Sequence, residues 1–291
     1  MKHFSEFQFN VDPDSISELL TQCSAGYPEK PDMETLSRML SMIDLTSLSE
    51  KDNAENIGRM CSRLNLLPES YPELPSPAAI CVYPELVPLV RVKLNNPVVN
   101  IASVGAGFPS SQTFLEIKLK EVSLAAEAGA DEVDIVISVG KFQLGLLEEV
   151  FEEIKNIKEE LGPLLLKVIL ETCSLQDMTE VRKAALLAMD AGADFIKTST
   201  GKSSAGASPD SFAVMCQAIK DFYGKTGKKV GIKPAGGIST VESAYEYYGI
   251  VRHILGNEWI NPEKFRIGAS RLANNIIREI LKKDETFLYF D

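Results

Sequence analysis

The chain has 291 residues, 45% of them apolar, and a formal net charge of −11 with a pI near 4.9. That length and apolar content suit one large α/β domain, and the negative mean field argues against non-specific binding to nucleic acid or an anionic membrane surface, so an anionic ligand would need local donors. No apolar stretch approaches the ~20 residues of a membrane span, and the five cysteines form no CxxC pair, so they read as reduced thiols of a cytoplasmic protein. In chain order, residues 1–41 read as a helical extension packed on the domain, with 32–42 a lead-in helix. Apolar runs of strand length then recur roughly every thirty residues, at 42–45, 79–82, 98–104, 132–137, 164–170, 193–197, 229–233 and 265–268. Amphipathic segments lie between them, among them 113–128, 147–161, 179–191, 209–223, 240–255 and 271–282. Such an alternation closes most naturally into a (β/α)₈ TIM barrel over 42–283, with 284–291 left as a tail.

Local punctuation agrees with this division. Ala128-Gly129-Ala130-Asp131 and Ala191-Gly192-Ala193-Asp194 each place a glycine just past a helix and immediately before a strand. Ser208-Pro209 offers an N-cap followed by proline at the first helical position, and Ser239-Thr240-Val241-Glu242 has the spacing of a capping box.

Two lysines end apolar, strand-like runs where a buried charge is disfavoured: Lys197 in Phe195-Ile196-Lys197-Thr198-Ser199-Thr200-Gly201 and Lys233 in Gly231-Ile232-Lys233-Pro234-Ala235-Gly236-Gly237. A single lysine in such a place more often snorkels to water. Two of them, each followed by a Gly-rich or Ser/Thr-rich loop, point to imine chemistry, because desolvation and a neighbouring cation free an amine to attack a carbonyl carbon. Strand alternation puts Glu132 and Asp134 on one face, and Lys167, Ile169 and Glu171 on one face of the next strand. If those faces point inward, Asp134, Lys167, Lys197 and Lys233 converge; a structural salt bridge is an equal reading for Lys167 and Glu171. Asp134 needs a cationic partner beside its apolar run, and the lysines supply one. The only histidines are His3 and His253, too few for an imidazole-held zinc ion, while a carboxylate-only magnesium site stays open.

Barrels often grip phosphate with the loops after strands seven and eight and an adjoining helix N-terminus. Here those loops read Pro234-Ala235-Gly236-Gly237-Ile238-Ser239 and Gly268-Ala269-Ser270-Arg271, and Gly201-Lys202-Ser203-Ser204 adds a cation after strand six. Each alone is explained by a tight turn; three at the expected places together point to phosphate binding.

Over roughly 42–281 the chain closely resembles deoxyribose-phosphate aldolase, a Schiff-base aldolase family of the barrel class. The resemblance runs through Ile43-Asp44-Leu45-Thr46, Ala79-Ile80-Cys81-Val82-Tyr83-Pro84, Glu132-Val133-Asp134-Ile135-Val136, Lys167-Val168-Ile169-Leu170-Glu171-Thr172, Ile196-Lys197-Thr198-Ser199-Thr200-Gly201, Lys233-Pro234-Ala235-Gly236-Gly237-Ile238 and Phe265-Arg266-Ile267-Gly268-Ala269-Ser270. It implies that Lys197 forms the Schiff base, Lys233 tunes its protonation, and Asp134 moves protons. It further implies that Asp44, Thr46 and Lys167 line the substrate pocket, with Cys81 a pocket-wall thiol, and that Lys202, Gly236, Gly237 and Ser270, with Gly201 and Gly268, hold a phosphate. The implied substrate is a small phosphosugar, 2-deoxy-D-ribose 5-phosphate, with no metal or organic cofactor, no nucleic-acid or membrane partner, and a homodimer by analogy. Ser49 stands where some members have Asn, and Arg271 where many have a second Ser or Thr. Some members end in a tyrosine that reaches the active site; Tyr289 is a candidate for that role here, with packing of the aromatic tail 287–291 the preferred reading. Two other readings remain at this point: a Schiff-base aldolase or transaldolase for a longer phosphosugar, and a catalytically silent barrel that senses sugar phosphates.

Overall fold

The structure, a computed structural model, describes residues 1–26 and 28–282; Tyr289 and the rest of the tail lie outside them. Eight strands, β1 (Ile43–Thr46), β2 (Ala79–Val82), β3 (Asn100–Val104), β4 (Glu132–Val136), β5 (Leu165–Ile169), β6 (Phe195–Lys197), β7 (Gly231–Lys233) and β8 (Ile267–Ala269), pair in the order β7-β6-β5-β4-β3-β2-β1-β8, all in parallel. Parallel bridges Ile232↔Phe265 and Ala235↔Gly268 join the two ends, so the sheet is a nearly closed barrel. The expected (β/α)₈ class is therefore the observed one.

Helices α1 (Pro13–Ala25) and α2 (Met33–Ser41) precede the barrel. Around it run α3 (Ala54–Ser70), α4 (Val87–Lys93), α5 (Leu115–Glu127), α6 (Val139–Gln143), α7 (Leu147–Leu161), α8 (Met178–Asp190), α9 (Pro209–Thr226), α10 (Val241–Ile254) and α11 (Leu272–Leu281). Among the described residues no helix is long and apolar enough to cross a membrane. The glycine punctuation holds: Gly129 and Gly192 have φ of +102° and +114°, values that a side-chain-bearing residue seldom adopts. Ser208 caps α9 by accepting from the Ser211 N–H. The second cap falls one residue later than the sequence spacing implies. Thr240, not Ser239, accepts from the Ser243 N–H, so Glu242 sits at the second helical position and closes no capping box.

The N-terminal extension is tied down by polar contacts to the outer helices. Asp190 accepts from the backbone N–H of His3 and Phe4, Arg182 donates to the Gln8 carbonyl, and Lys225 pairs with Glu6 at 2.8 Å. Helix α1 packs on α9 and α10, and α2 on α11 and α10.

The barrel interior is divided by chemistry. Toward β2 and β3 it is small and apolar, with Ala79, Cys81, Ala102 and Val104 clustered under Leu48. Opposite, Phe195 fills the space that Gly231 leaves: a Cβ at 231 would stand 2.4 Å from its ring. Barrel floors are ordinarily packed with branched apolar side chains. Here the remaining volume holds Asp44, Glu132, Asp134, Lys167, Lys233 and Arg266, all at most 3% exposed.

Candidate active site

Neighbouring strand ends bring the lysines together, since Lys197 and Lys233 are cross-strand partners and Asp134 is paired with Lys167. Lys197 Nζ and Lys233 Nζ each lie 2.8 Å from the same oxygen, Asp134 Oδ2, and Lys167 Nζ lies 2.8 Å from Oδ1. Lys233 also pairs with Asp44 Oδ2 at 2.5 Å, and Lys167 with Glu132 Oε2 at 2.5 Å and Asp44 Oδ2 at 3.4 Å. Arg266, just before β8, completes the array, with Nη1 2.6 Å from Asp44 Oδ1 and Nη2 2.8 Å from Glu132 Oε1.

Charge counting explains the protonation of this array. Four cations (Lys167, Lys197, Lys233 and Arg266) face three carboxylates (Asp44, Glu132 and Asp134), all at most 3% exposed. A surplus buried charge is costly, and the group that can shed it most easily is the one with the fewest counter-charges. Lys197 touches a single carboxylate oxygen, Lys233 two carboxylates and Lys167 three. Burial and the Lys233 ammonium accordingly hold the Lys197 amine below the usual lysine range despite Asp134. For Lys233 burial acts in the same direction, but Asp134 and Asp44 outweigh it and its pKa is raised. Lys167 is raised well above the usual range by Asp134, Glu132 and Asp44, again against burial. Burial would lift Asp134, but the three lysines hold it well below the normal carboxylate range.

Above the array opens a cleft of about 820 Å³ lined by Thr46, Lys197, Gly201, Lys202, Gly236, Gly237, Gly268 and Ser270, together with Ser49, Thr200 and Arg271. Lys197 is thus the member of the array that meets the cleft. Asp44, Asp134, Lys167 and Lys233 lie beneath it, fully buried. Cys81 does not line the cleft: it is fully buried among Ala79, Ala102 and Val104, and burial raises its thiol pKa, which leaves it a packing residue. Lys202 Nζ bonds the Leu48 carbonyl across the mouth. Gly236 and Gly237 take φ of +86° and +81°, and Gly206 abuts Gly236 so closely that a Cβ at 206 would stand 2.1 Å from the Gly236 carbonyl oxygen.

The geometry separates Glu171 from the place that strand alternation gives it. Strand β5 ends at Ile169, and Glu171 turns to φ +52°, ψ +57°, leaving the inner face that Lys167 occupies. Its carboxylate instead accepts from Thr200 N at 3.2 Å and Thr200 Oγ1 at 2.5 Å, which fixes the loop after Lys197. Among the described residues no group of three or more His, Cys, Asp or Glu is placed to hold a metal ion.

A family model described as DeoC/LacD family aldolase matches residues 38–254, more than half of the chain. The chain belongs to the DeoC/LacD family aldolases. This DeoC/LacD aldolase is 42% identical over 259 residues to deoxyribose-phosphate aldolase of Homo sapiens, covering 84% of this chain and 80% of that one. It is 40% identical over 289 residues to deoxyribose-phosphate aldolase of Bos taurus, covering 94% and 90%. The solved deoxyribose phosphate aldolase of Aeropyrum pernix superposes with a TM-score of 0.64 at 25% identity, over 90% of this chain and 96% of that one. As an aldolase, the protein makes or breaks a carbon–carbon bond. What the motifs of this DeoC/LacD aldolase did not single out is the lower half of the array, Glu132 and Arg266. Both sit in quoted segments, and the signal was available, since a charged residue in an apolar strand run needs an opposite charge.

Proposed function

We propose that this aldolase reversibly cleaves 2-deoxy-D-ribose 5-phosphate to acetaldehyde and D-glyceraldehyde 3-phosphate through a Schiff base on Lys197. The observation that carries the reading is that the amine of the array with a depressed pKa is also the one that opens on the cleft. A free amine there adds to C1 of the open-chain sugar and loses water to give a protonated imine. The imine draws electrons from the C2–C3 bond, because that is the bond one carbon beyond the imine carbon. As it breaks, the C3 hydroxyl gives up its proton, glyceraldehyde phosphate leaves, and an enamine remains. Protonation of the enamine at C2 and hydrolysis release acetaldehyde and return the amine. Asp134, 2.8 Å from Lys197 Nζ, is the nearest carboxylate for these proton movements.

The glycine loops and Lys202, at the end of the cleft formed by the loops after β6, β7 and β8, suit the phosphate, and holding it positions C1 over Lys197. Because Gly206 and Gly236 support one another, Gly206→Ala is expected to raise KM for the phosphorylated sugar by on the order of tenfold. Steady-state kinetics check this; an unchanged KM would detach that loop from the phosphate.

Borohydride reduction in the presence of acetaldehyde tests the central step. It should fix an ethyl group on Lys197, located by peptide mass spectrometry. Label on another lysine, or on none, would refute the assignment. Faster turnover of ketose phosphates than of deoxyribose 5-phosphate would refute the substrate.

A further inference from the structure

We infer that Arg266 and Glu132, the buried pair at the floor of the barrel, are positioning residues that set the charge balance of the lysine array and so place its surplus on Lys197, an inference that rests on the proposed role of Lys197. Neither reaches the cleft. Arg266 stands just before β8, with its backbone N–H on the Ile232 carbonyl and its guanidinium carbon 5.7 Å from the centre of the Phe195 ring. Its Nη1 and Nη2 span Asp44 and Glu132, and its Nε donates to the Pro262 carbonyl. Glu132 is equally committed: Oε1 accepts from Asn100 Nδ2 at 2.8 Å as well as from Arg266, while Oε2 meets Lys167.

Two chains of contacts therefore run from Arg266 to Lys197. One passes through Asp44, Lys233 and Asp134; the other through Glu132, Lys167 and Asp134. Arginine does not release its proton in proteins, so the charge at 266 is permanent and the surplus must fall on a lysine. Lys197 is faced by Asp134 from β4, Lys233 from β7 and Cys81 from β2, with Lys167 of β5 on the far oxygen of Asp134 and Asp44 of β1 behind Lys233. It holds the weakest claim on a carboxylate and yields the proton. Taking Arg266 away leaves three cations with three carboxylates, and Lys197 keeps its proton to higher pH. Taking Glu132 away enlarges the surplus, and Lys197 yields its proton at lower pH. A pair that served packing alone would move neither.

The test compares wild type, Arg266→Met, Glu132→Gln and the double variant. Two readouts are taken across pH: the rate at which acetic anhydride acetylates Lys197, followed by peptide mass spectrometry, and the acid limb of kcat/KM for deoxyribose 5-phosphate. The expected result is a displacement of about one pH unit or more upward in Arg266→Met and downward in Glu132→Gln, with the double variant back near wild type. Unmoved profiles, or displacements in the same direction, overturn the inference. Should Arg266→Met fail to fold, Glu132→Gln, which keeps the size of the side chain, decides by itself. Acetylation reads Lys197 without turnover, so the two ideas fail separately. Variants that shift labelling in a protein that does not cleave deoxyribose 5-phosphate sink the proposed function alone. Unshifted labelling in an active enzyme sinks this inference alone.

Discussion

Lys197→Met is expected to lower cleavage of deoxyribose 5-phosphate by on the order of 10⁴-fold or more while leaving the protein as stable as wild type, or more so. The first half follows from the loss of the amine that forms the imine, for which a thioether has no substitute. The second half follows from the charge count. Lys197 is the surplus cation, so its removal leaves Lys167, Lys233 and Arg266 matched by Asp44, Glu132 and Asp134, and Asp134 Oδ2 keeps Lys233 at 2.8 Å. Methionine fills nearly the same volume with an apolar group, and replacing a buried charge in this way is neutral or stabilising where no partner is stranded. An ordinary buried salt bridge behaves in the opposite sense: cutting one member costs about 3–5 kcal/mol. Calorimetry beside a coupled assay therefore separates the two roles. A loss of that size in stability, or turnover within tenfold of wild type, would show that the amine at 197 is structural.

The barrel was legible because apolar runs repeat with helical patterns between them, and the ends differ from expectation mainly by trimming. The run at 98–104 becomes a strand over Asn100–Val104, and that at 229–233 one over Gly231–Lys233, since hydrogen bonding to a neighbour begins later than apolar character does. Helices α3 and α4 were not among the segments singled out; Pro68 interrupts the pattern inside α3, and α4, with Pro88 in its first turn, is only seven residues long, too short for a periodic signal. In the site, the convergence of Asp134, Lys167, Lys197 and Lys233 could be read from strand alternation together with the placing of both reactive lysines at strand ends, given that those faces point inward. Alternation misplaced Glu171 because it holds only while the chain stays extended, and the left-handed turn at 171 is a decision of the loop. The resemblance implied a pocket-wall thiol at Cys81, yet its side chain faces Lys197 from β2 and is covered by Leu48, Ala79, Ala102 and Val104, a packing that local patterns do not encode. The pairing of Arg266 with Asp44 spans 222 positions, and no local pattern predicts it.

Lys233→Leu is expected to reduce turnover near neutral pH by on the order of 10²-fold, with activity recovering as the pH is raised. Lys233 and Lys197 share Asp134 Oδ2, so the Lys233 ammonium disfavours a second charge beside it. Without it, three cations face three carboxylates and the Lys197 proton becomes part of the balance. The Lys197 pKa must therefore rise, the free amine appears only at higher pH, and the acid limb of kcat/KM moves in the alkaline direction. The direction is fixed by sign alone, because removing a like charge always favours the charged form of its neighbour. Stability should fall by less than about 3–5 kcal/mol, the usual cost of stranding a buried charge, since Asp44 retains Arg266 and Asp134 retains Lys167 and Lys197. A pH–rate profile superimposable on wild type, merely scaled down, would assign Lys233 to substrate contact or scaffold and remove it from control of the Lys197 proton.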